Sequence, residues 1–202
     1  MLKVALTGGI ATGKSHVLAV CRRRGVPCLD ADQLAHGVMT GGTEASAAIV
    51  ARFGADVLSA DGSVDRRKLA PIVFADGAAR RDLEAIVHPA VYRAIAAGLR
   101  AFERTEQAPF AIVDVPLLFE SSREGDFDAV VATLCSTKRQ RERLTARGLS
   151  DAQIADRLAA QWPAEQKAAR ADHVISTDGT YEETEAGIDL LLSALRARAQ
   201  SG

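Results

Sequence analysis

The sequence predicts an α/β fold, a parallel sheet flanked by helices and organised around a phosphate-binding loop near the start of the chain. Three observations lead there. Thr7-Gly8-Gly9-Ile10-Ala11-Thr12-Gly13-Lys14-Ser15 carries the spacing GxxxxGK[ST] directly after an apolar run at Val4 to Leu6. Further short apolar runs at 26–29, 110–115, 128–134 and 172–176 are separated by stretches of helical periodicity, as expected for strands joined by crossover helices. Two of those runs end in acids, Asp30-Ala31-Asp32 and Asp114, at the carboxyl ends of strands where open parallel sheets collect their ligands.

Lys3 to Thr7 is short, apolar and bounded by Gly8, which suits a buried strand delivering the loop. A loop wrapping a polyphosphate turns its backbone N–H groups inward, through conformations that side chains obstruct, hence the glycines. In that pattern Lys14 reaches the β- and γ-phosphates and the Ser15 hydroxyl is a Mg²⁺ ligand. A helix from Lys14 adds its N-terminal N–H groups and dipole. It ends at Arg22-Arg23-Arg24-Gly25, basic residues complementing a helix C-terminus.

Val26 to Leu29 reads as the second strand. Asp32 beyond it reads either as a general base for a hydroxyl attacking the γ-phosphate or as the N-cap of a helix beginning near Gln33. From Gly41 to about Gln107 the periodicity is helical, with an interruption at Pro71 and a junction at His88-Pro89. This insertion has the character of a substrate-covering subdomain. Arg80, Arg81 and His88 are its candidate ligand contacts, although a histidine before a proline at a helix junction also reads as structural.

Phe110 to Val115 is the strongest later strand. Its terminal Asp114 reads as a Mg²⁺-associated carboxylate or as a loop cap. After a strand at Asp128 to Leu134, Ser136 and Thr137 cap KRQRERLTARG, which places Arg139, Arg143 and Arg147 on one helical face. Either an anion meets that face or it is solvated. A helix at 150–161, a break at Trp162-Pro163 and a short helix at 164–170 have the form of a lid. A last strand, Asp172 to Ser176, leads to a final helix with the apolar stripe Ile188, Leu191, Leu192 and Leu195.

The 202 residues suffice for one core with appendages. A net charge of -1 provides no global field for nucleic acid or an anionic membrane, so neither is expected as a partner. No apolar run reaches transmembrane length and no signal peptide is visible, so a cytoplasmic location is expected. Cys21, Cys28 and Cys135 show no CxxC spacing and read as reduced structural thiols. The chain contains no asparagine, which excludes the NKxD guanine-recognition motif of regulatory GTPases, and it contains no DxxG.

Together LTGGIATGKS, LDAD, LEAIVHP, DVPLLFE and QRERLTAR, with Gln161, Lys167 and Ala171-Asp172, resemble the dephospho-CoA kinase family over nearly the whole chain. The resemblance implies a P-loop NTPase-type five-stranded parallel sheet, formed by 1–31, 108–135 and 171–202. It also implies a helical acceptor-binding subdomain at 32–107 and a lid at 136–170. The implied reaction is transfer of the ATP γ-phosphate to the 3′-hydroxyl of dephospho-CoA, with Mg²⁺ as cofactor, by a monomer or small homo-oligomer. Asp32 would be the base. Gly8 to Ser15, His16 and Arg143 would bind ATP, with Lys14, Arg143 and Arg147 acting on the transferred group. Ser15 and Asp114 would hold the metal, and Thr7, Asp32, Arg81, His88, Leu117 and Phe119 would lie toward the acceptor.

The chain departs from the family's pattern at three places. His16 stands where Thr or Ser is usual, GGTEA replaces a turn usually containing PG, and Thr177 occupies a position commonly Asn near the adenine site. Alternatives to the implied reaction are a kinase of another small hydroxylated or nucleoside acceptor, and an ATP-binding regulatory protein without transfer activity.

Overall fold

The computed structural model describes residues 1–105 and 108–201. The chain forms two compact units, one from residues 1–29 and 101 onward, the other from Asp30–Arg100. The expected boundary of the helical subdomain at Gln107 lies outside the described residues, and the segment expected as a lid falls within the first unit.

The sheet is five-stranded, in the order β2-β3-β1-β4-β5. Its strands are β1 (Leu2–Gly8), β2 (Cys28–Asp30), β3 (Phe110–Asp114), β4 (Ala129–Leu134) and β5 (His173–Ser176). β1 pairs in parallel with both β3 and β4, and β4 with β5. From the end of β1 the chain passes to one edge through α1 (Lys14–Arg23), then crosses to the other side between β3 and β4. The loop after β1 therefore opens at a topological switch point, where a crevice forms between diverging connections.

β1 is buried from Val4 onward because both faces are covered, so it reads as an unbroken apolar run rather than an alternating one. One face packs against Val17, Leu18 and Cys21 of α1 and against α9 (Tyr181–Gln200), whose Ile188, Leu191, Leu192 and Leu195 join the same cluster. The expected apolar stripe of the last helix is thus core. Arg23 and Arg24 pair with Glu185 and Asp189 of that helix at 2.9 Å. Such exposed pairs contribute about 0–1 kcal/mol each, so apolar burial holds α9 and the arginines fix its angle.

Between β4 and β5 stand α6 (Thr137–Ala146), α7 (Asp151–Ala159) and α8 (Ala164–Arg170). Ser136 caps α6, and Ser150 with Gln153 forms a capping box on α7.

The second unit holds α2 (Ala31–Val38), α3 (Glu44–Phe53), α4 (Arg66–Ala75) and most of α5 (Gly77–Thr105). Its core is Met39, Ile49, Val57, Val64 and Leu69. Neither proline breaks a helix as expected: α4 runs through Pro71, and α5 is one helix of 29 residues through Pro89. An interior proline costs about 3 kcal/mol. Leu83, Ile86 and Val87 before Pro89 pack on the unit's core, and Ala90, Val91, Ile95 and Leu99 after it are buried. At about 1.5–3 kcal/mol for each large apolar side chain, that burial outweighs the missing hydrogen bond.

α2 begins earlier than expected, and Asp32 is not its cap. Asp30 is: its Oδ1 accepts the N–H groups of Asp32 at 2.9 Å and Gln33 at 3.0 Å. No helix among the described residues is long and apolar enough to cross a membrane.

These assignments predict different losses in urea unfolding. Leu192→Ala, at a side chain 1% exposed, is expected to lower stability by about 2–5 kcal/mol. Asp30→Ala removes only a cap and is expected to lose about 1 kcal/mol.

Candidate active site

The phosphate-binding loop follows directly from the way β1 ends. Gly8 has φ 150°, and a Cβ there would stand 2.2 Å from Thr133 Oγ1 of β4, so only glycine lets the backbone turn this close to the neighbouring strand. Gly13, at φ 88°, turns the chain into α1 as its N-cap. Ala11 also takes a left-handed conformation, φ 59°, which costs a residue with a Cβ about 1–2 kcal/mol. Something must hold it there.

What holds it is a set of hydrogen bonds from the elements behind the loop. Arg143 Nη1 donates to the Ala11 carbonyl at 2.9 Å and to Thr177 Oγ1 at 3.1 Å, while its Nη2 donates to the Thr177 carbonyl at 2.6 Å. Thr177 Oγ1 donates in turn to the Thr12 carbonyl at 2.8 Å. Gln140 Nε2 donates to the Ile10 carbonyl at 2.8 Å. The hydroxyls of Thr12 and Thr133 lie 2.6 Å apart. Bonds from a charged donor contribute about 1.5–3 kcal/mol each, enough to offset the strain at Ala11. Leu144 and Ile154, both buried, pack with Ala11 and Ile10, so α6 and α7 rest against the loop through an apolar contact as well.

At the mouth of the loop, Lys14 Nζ lies 3.5 Å from the Gly8 carbonyl and Ser15 is exposed. His16 turns to Tyr181, their ring centroids 4.8 Å apart.

The expected arginine face divides by role. Arg143 points back into the loop. Arg139 donates to the Asp178 carbonyl at 2.8 Å. The Asp178 carboxylate accepts the Ser136 N–H, which with the nearby Arg139 and Arg143 holds its pKa below the usual carboxylate value. Arg147 is the C-cap of α6 and is exposed, and among the described residues its guanidinium makes no hydrogen bond.

Asp114, 7% exposed, closes β3 level with Leu6 of β1, and the next residue, Val115, donates its N–H to the Leu6 carbonyl at 2.9 Å. Thr7 Oγ1 then donates to the Pro116 carbonyl at 3.3 Å. Leu117 is exposed. Phe119 is buried, stacked on Trp162 with centroids 6.0 Å apart and covered by Arg170 at 5.2 Å. Lys167 is also buried beside Glu120, and burial lowers its pKa against the opposing pull of that carboxylate.

Asp32, Arg81 and His88 belong to the second unit and are exposed on its helices. With Asp30 as the cap, the Asp32 carboxylate is not needed to start α2. His88 is mid-helix rather than at a junction, and it shares a face of α5 with Arg81, two turns away.

The structure thus brings Thr7, the loop residues Gly8 to Ser15, Asp114 and Arg143 into one unit, on neighbouring strands and the helix behind them. Sequence reasoning gave no role to Thr133, Gln140 or Lys167, and took Thr177 only as a departure. The available signal was a polar residue closing each of two apolar strands, Thr133 and Thr177, and a glutamine one turn before Arg143.

This architecture is matched by known proteins. The family model described as dephospho-CoA kinase matches residues 2–183. A dephospho-CoA kinase of Anaeromyxobacter dehalogenans is 48% identical over 200 residues, covering 97% of this chain and 93% of that protein. A solved structure from Thermus thermophilus superimposes with a TM-score of 0.81 at 34% identity, over 96% of this chain and 97% of that one. The dephospho-CoA kinase of Campylobacter jejuni shares the fold, with a TM-score of 0.71 at 24% identity over 96% and 97% of the two chains. A braced phosphate loop at the switch point of a five-stranded parallel sheet, with full-length similarity of this order, leaves one assignment: the chain belongs to the dephospho-CoA kinase family.

Proposed function

We propose that the protein transfers the γ-phosphate of ATP to the 3′-hydroxyl of dephospho-CoA, giving CoA and ADP, the final step of coenzyme A synthesis. The observation that carries the reading is the loop itself, complete from Gly8 to Ser15 and braced by Arg143, in a chain of this family.

In this reading the loop N–H groups and Lys14 bind the donor phosphates, and preorganisation by Arg143 and Thr177 removes the need to reorder the loop when ATP arrives. Arg143 acts through the loop. Arg147, exposed at the end of α6, is the arginine available to meet charge on the transferred group. Asp32 takes the proton from the 3′-hydroxyl. Arg81, His88 and Leu117 contact the acceptor, Phe119, buried under Arg170 and against Trp162, lies in the turn on the acceptor side, and residues 136–170 act as the lid.

Mg²⁺ fits the donor set. Ser15 and Asp114 offer hard oxygen ligands, and among the described residues no group of three acidic, histidine or cysteine side chains forms a cage. That suits an ion held by one or two protein oxygens and the nucleotide phosphates. When bound, Mg²⁺ neutralises charge on the β- and γ-phosphates. Location in the cytoplasm and a monomer or small homo-oligomer complete the proposal.

Pure protein with Mg·ATP and a panel of acceptors tests the reaction. CoA and ADP should form in equal amounts from dephospho-CoA; a nucleoside giving faster turnover, or no ADP with any acceptor, would overturn the reading. Asp32→Asn should lower kcat by about 10²–10⁴-fold with the urea midpoint unchanged, since Asp30 holds the cap. Arg143→Lys loses the paired donation to Ala11 and Thr177. It should raise KM for ATP about tenfold or more while leaving KM for dephospho-CoA within about twofold.

A further inference from the structure

Lys167 is fully buried, 0% exposed, on α8, and its ammonium donates to Glu120 Oε1 at 2.7 Å and to the Pro116 carbonyl at 2.8 Å. A buried ion pair is weak evidence of stabilisation, because well-packed apolar side chains of the same volume often serve the fold as well or better. What apolar side chains cannot do is orient a carbonyl. The Pro116 carbonyl is held from two sides, by Lys167 and by the hydroxyl of Thr7, the residue immediately before Gly8 of the phosphate loop.

The rest of the turn is pinned from the same stretch of chain. Glu120 Oε1, which accepts from Lys167, also accepts the Trp162 N–H at 2.9 Å. The Trp162 ring stacks on Phe119, and Arg170 covers both rings at 5.2 and 5.3 Å while bonding Glu124 at 2.7 Å. Residues 116, 119, 120 and 124 are therefore all fixed by the segment 162–170. Leu117, between the first two pins, remains 45% exposed.

We infer that Lys167 is a positioning residue for the acceptor: its ammonium holds the Pro116 carbonyl and Glu120 so that Leu117 is presented in a fixed place between the phosphate loop and the helix closing the lid. It touches no substrate. The inference rests on Leu117 being an acceptor contact, and the experiment separates the two.

Steady-state kinetics are measured for Lys167→Met, Lys167→Arg, Glu120→Gln and Leu117→Ala, with urea unfolding of each. Lys167→Met is expected to raise KM for dephospho-CoA about tenfold while KM for ATP stays within about twofold. Lys167→Arg, which keeps the charge, should recover part of that loss. Equal changes in both KM values, or a lower kcat in proportion to the unfolded fraction alone, would reduce Lys167 to a structural residue and overturn the inference. If Lys167→Met does not fold, Glu120→Gln carries the test, since its amide oxygen still accepts from Trp162 but the charge facing Lys167 is gone. The same selective rise in acceptor KM is expected there, and an unchanged acceptor KM overturns the inference. Leu117→Ala raising acceptor KM while Lys167→Met does not would overturn the positioning role alone. An unchanged acceptor KM in Leu117→Ala would remove the turn from the acceptor side and the inference with it.

Discussion

The structure depends on holding the loop between Gly8 and Ser15 in its tightly turned conformation beside β4. Its backbone is strained at Ala11 and its N–H groups gain little from one another. The compensation comes from behind, where the Arg143 guanidinium bonds Ala11 and Thr177, and Thr177 bonds Thr12. Arg143 bonds a residue 132 positions away and Thr177 one 165 positions away, so the brace exists only once β4, α6 and β5 have assembled on the same side of β1. A preorganised anion site is thereby tied to completion of the sheet.

This brace alters the meaning of two sequence features. An arginine row at helical spacing reads as a phosphate-facing surface, yet the three side chains divide between the loop backbone, the Asp178 turn and solvent. Charge repulsion along a helix is relieved as well by separate backbone acceptors as by an anion. Thr177 is 4% exposed and joins the end of β5 to the loop and to Arg143. Its contribution is to the loop's geometry. His16 packs against Tyr181 at the start of α9.

On the opposite side of β1, the turn after β3 is built differently. There the backbone is held by side chains from 162–170, with a buried lysine at the centre and an aromatic stack beneath. Thr7 links the two sides through the Pro116 carbonyl. Donor loop and turn thus share one short piece of β1, which gives the proposed lid segment purchase on both.

The sequence by itself determined the loop, the five strands and the termini of most helices, because each depends on short-range chemistry: glycine spacing, apolar runs, and capping side chains one turn from the groups they cap. It also specified the acids at strand ends, although it left Asp32 open between a general base and the cap of the next helix, since a carboxylate at that place suits either role. The tertiary structure decided that Asp30 takes the cap and leaves Asp32 exposed. It decided that Pro71 and Pro89 stay inside helices, and at Pro89 the apolar burial on either side exceeds the local penalty. And it decided that Thr133, Gln140 and Thr177 bond the loop, since a hydrogen bond across more than a hundred residues appears only where strand order brings its partners together.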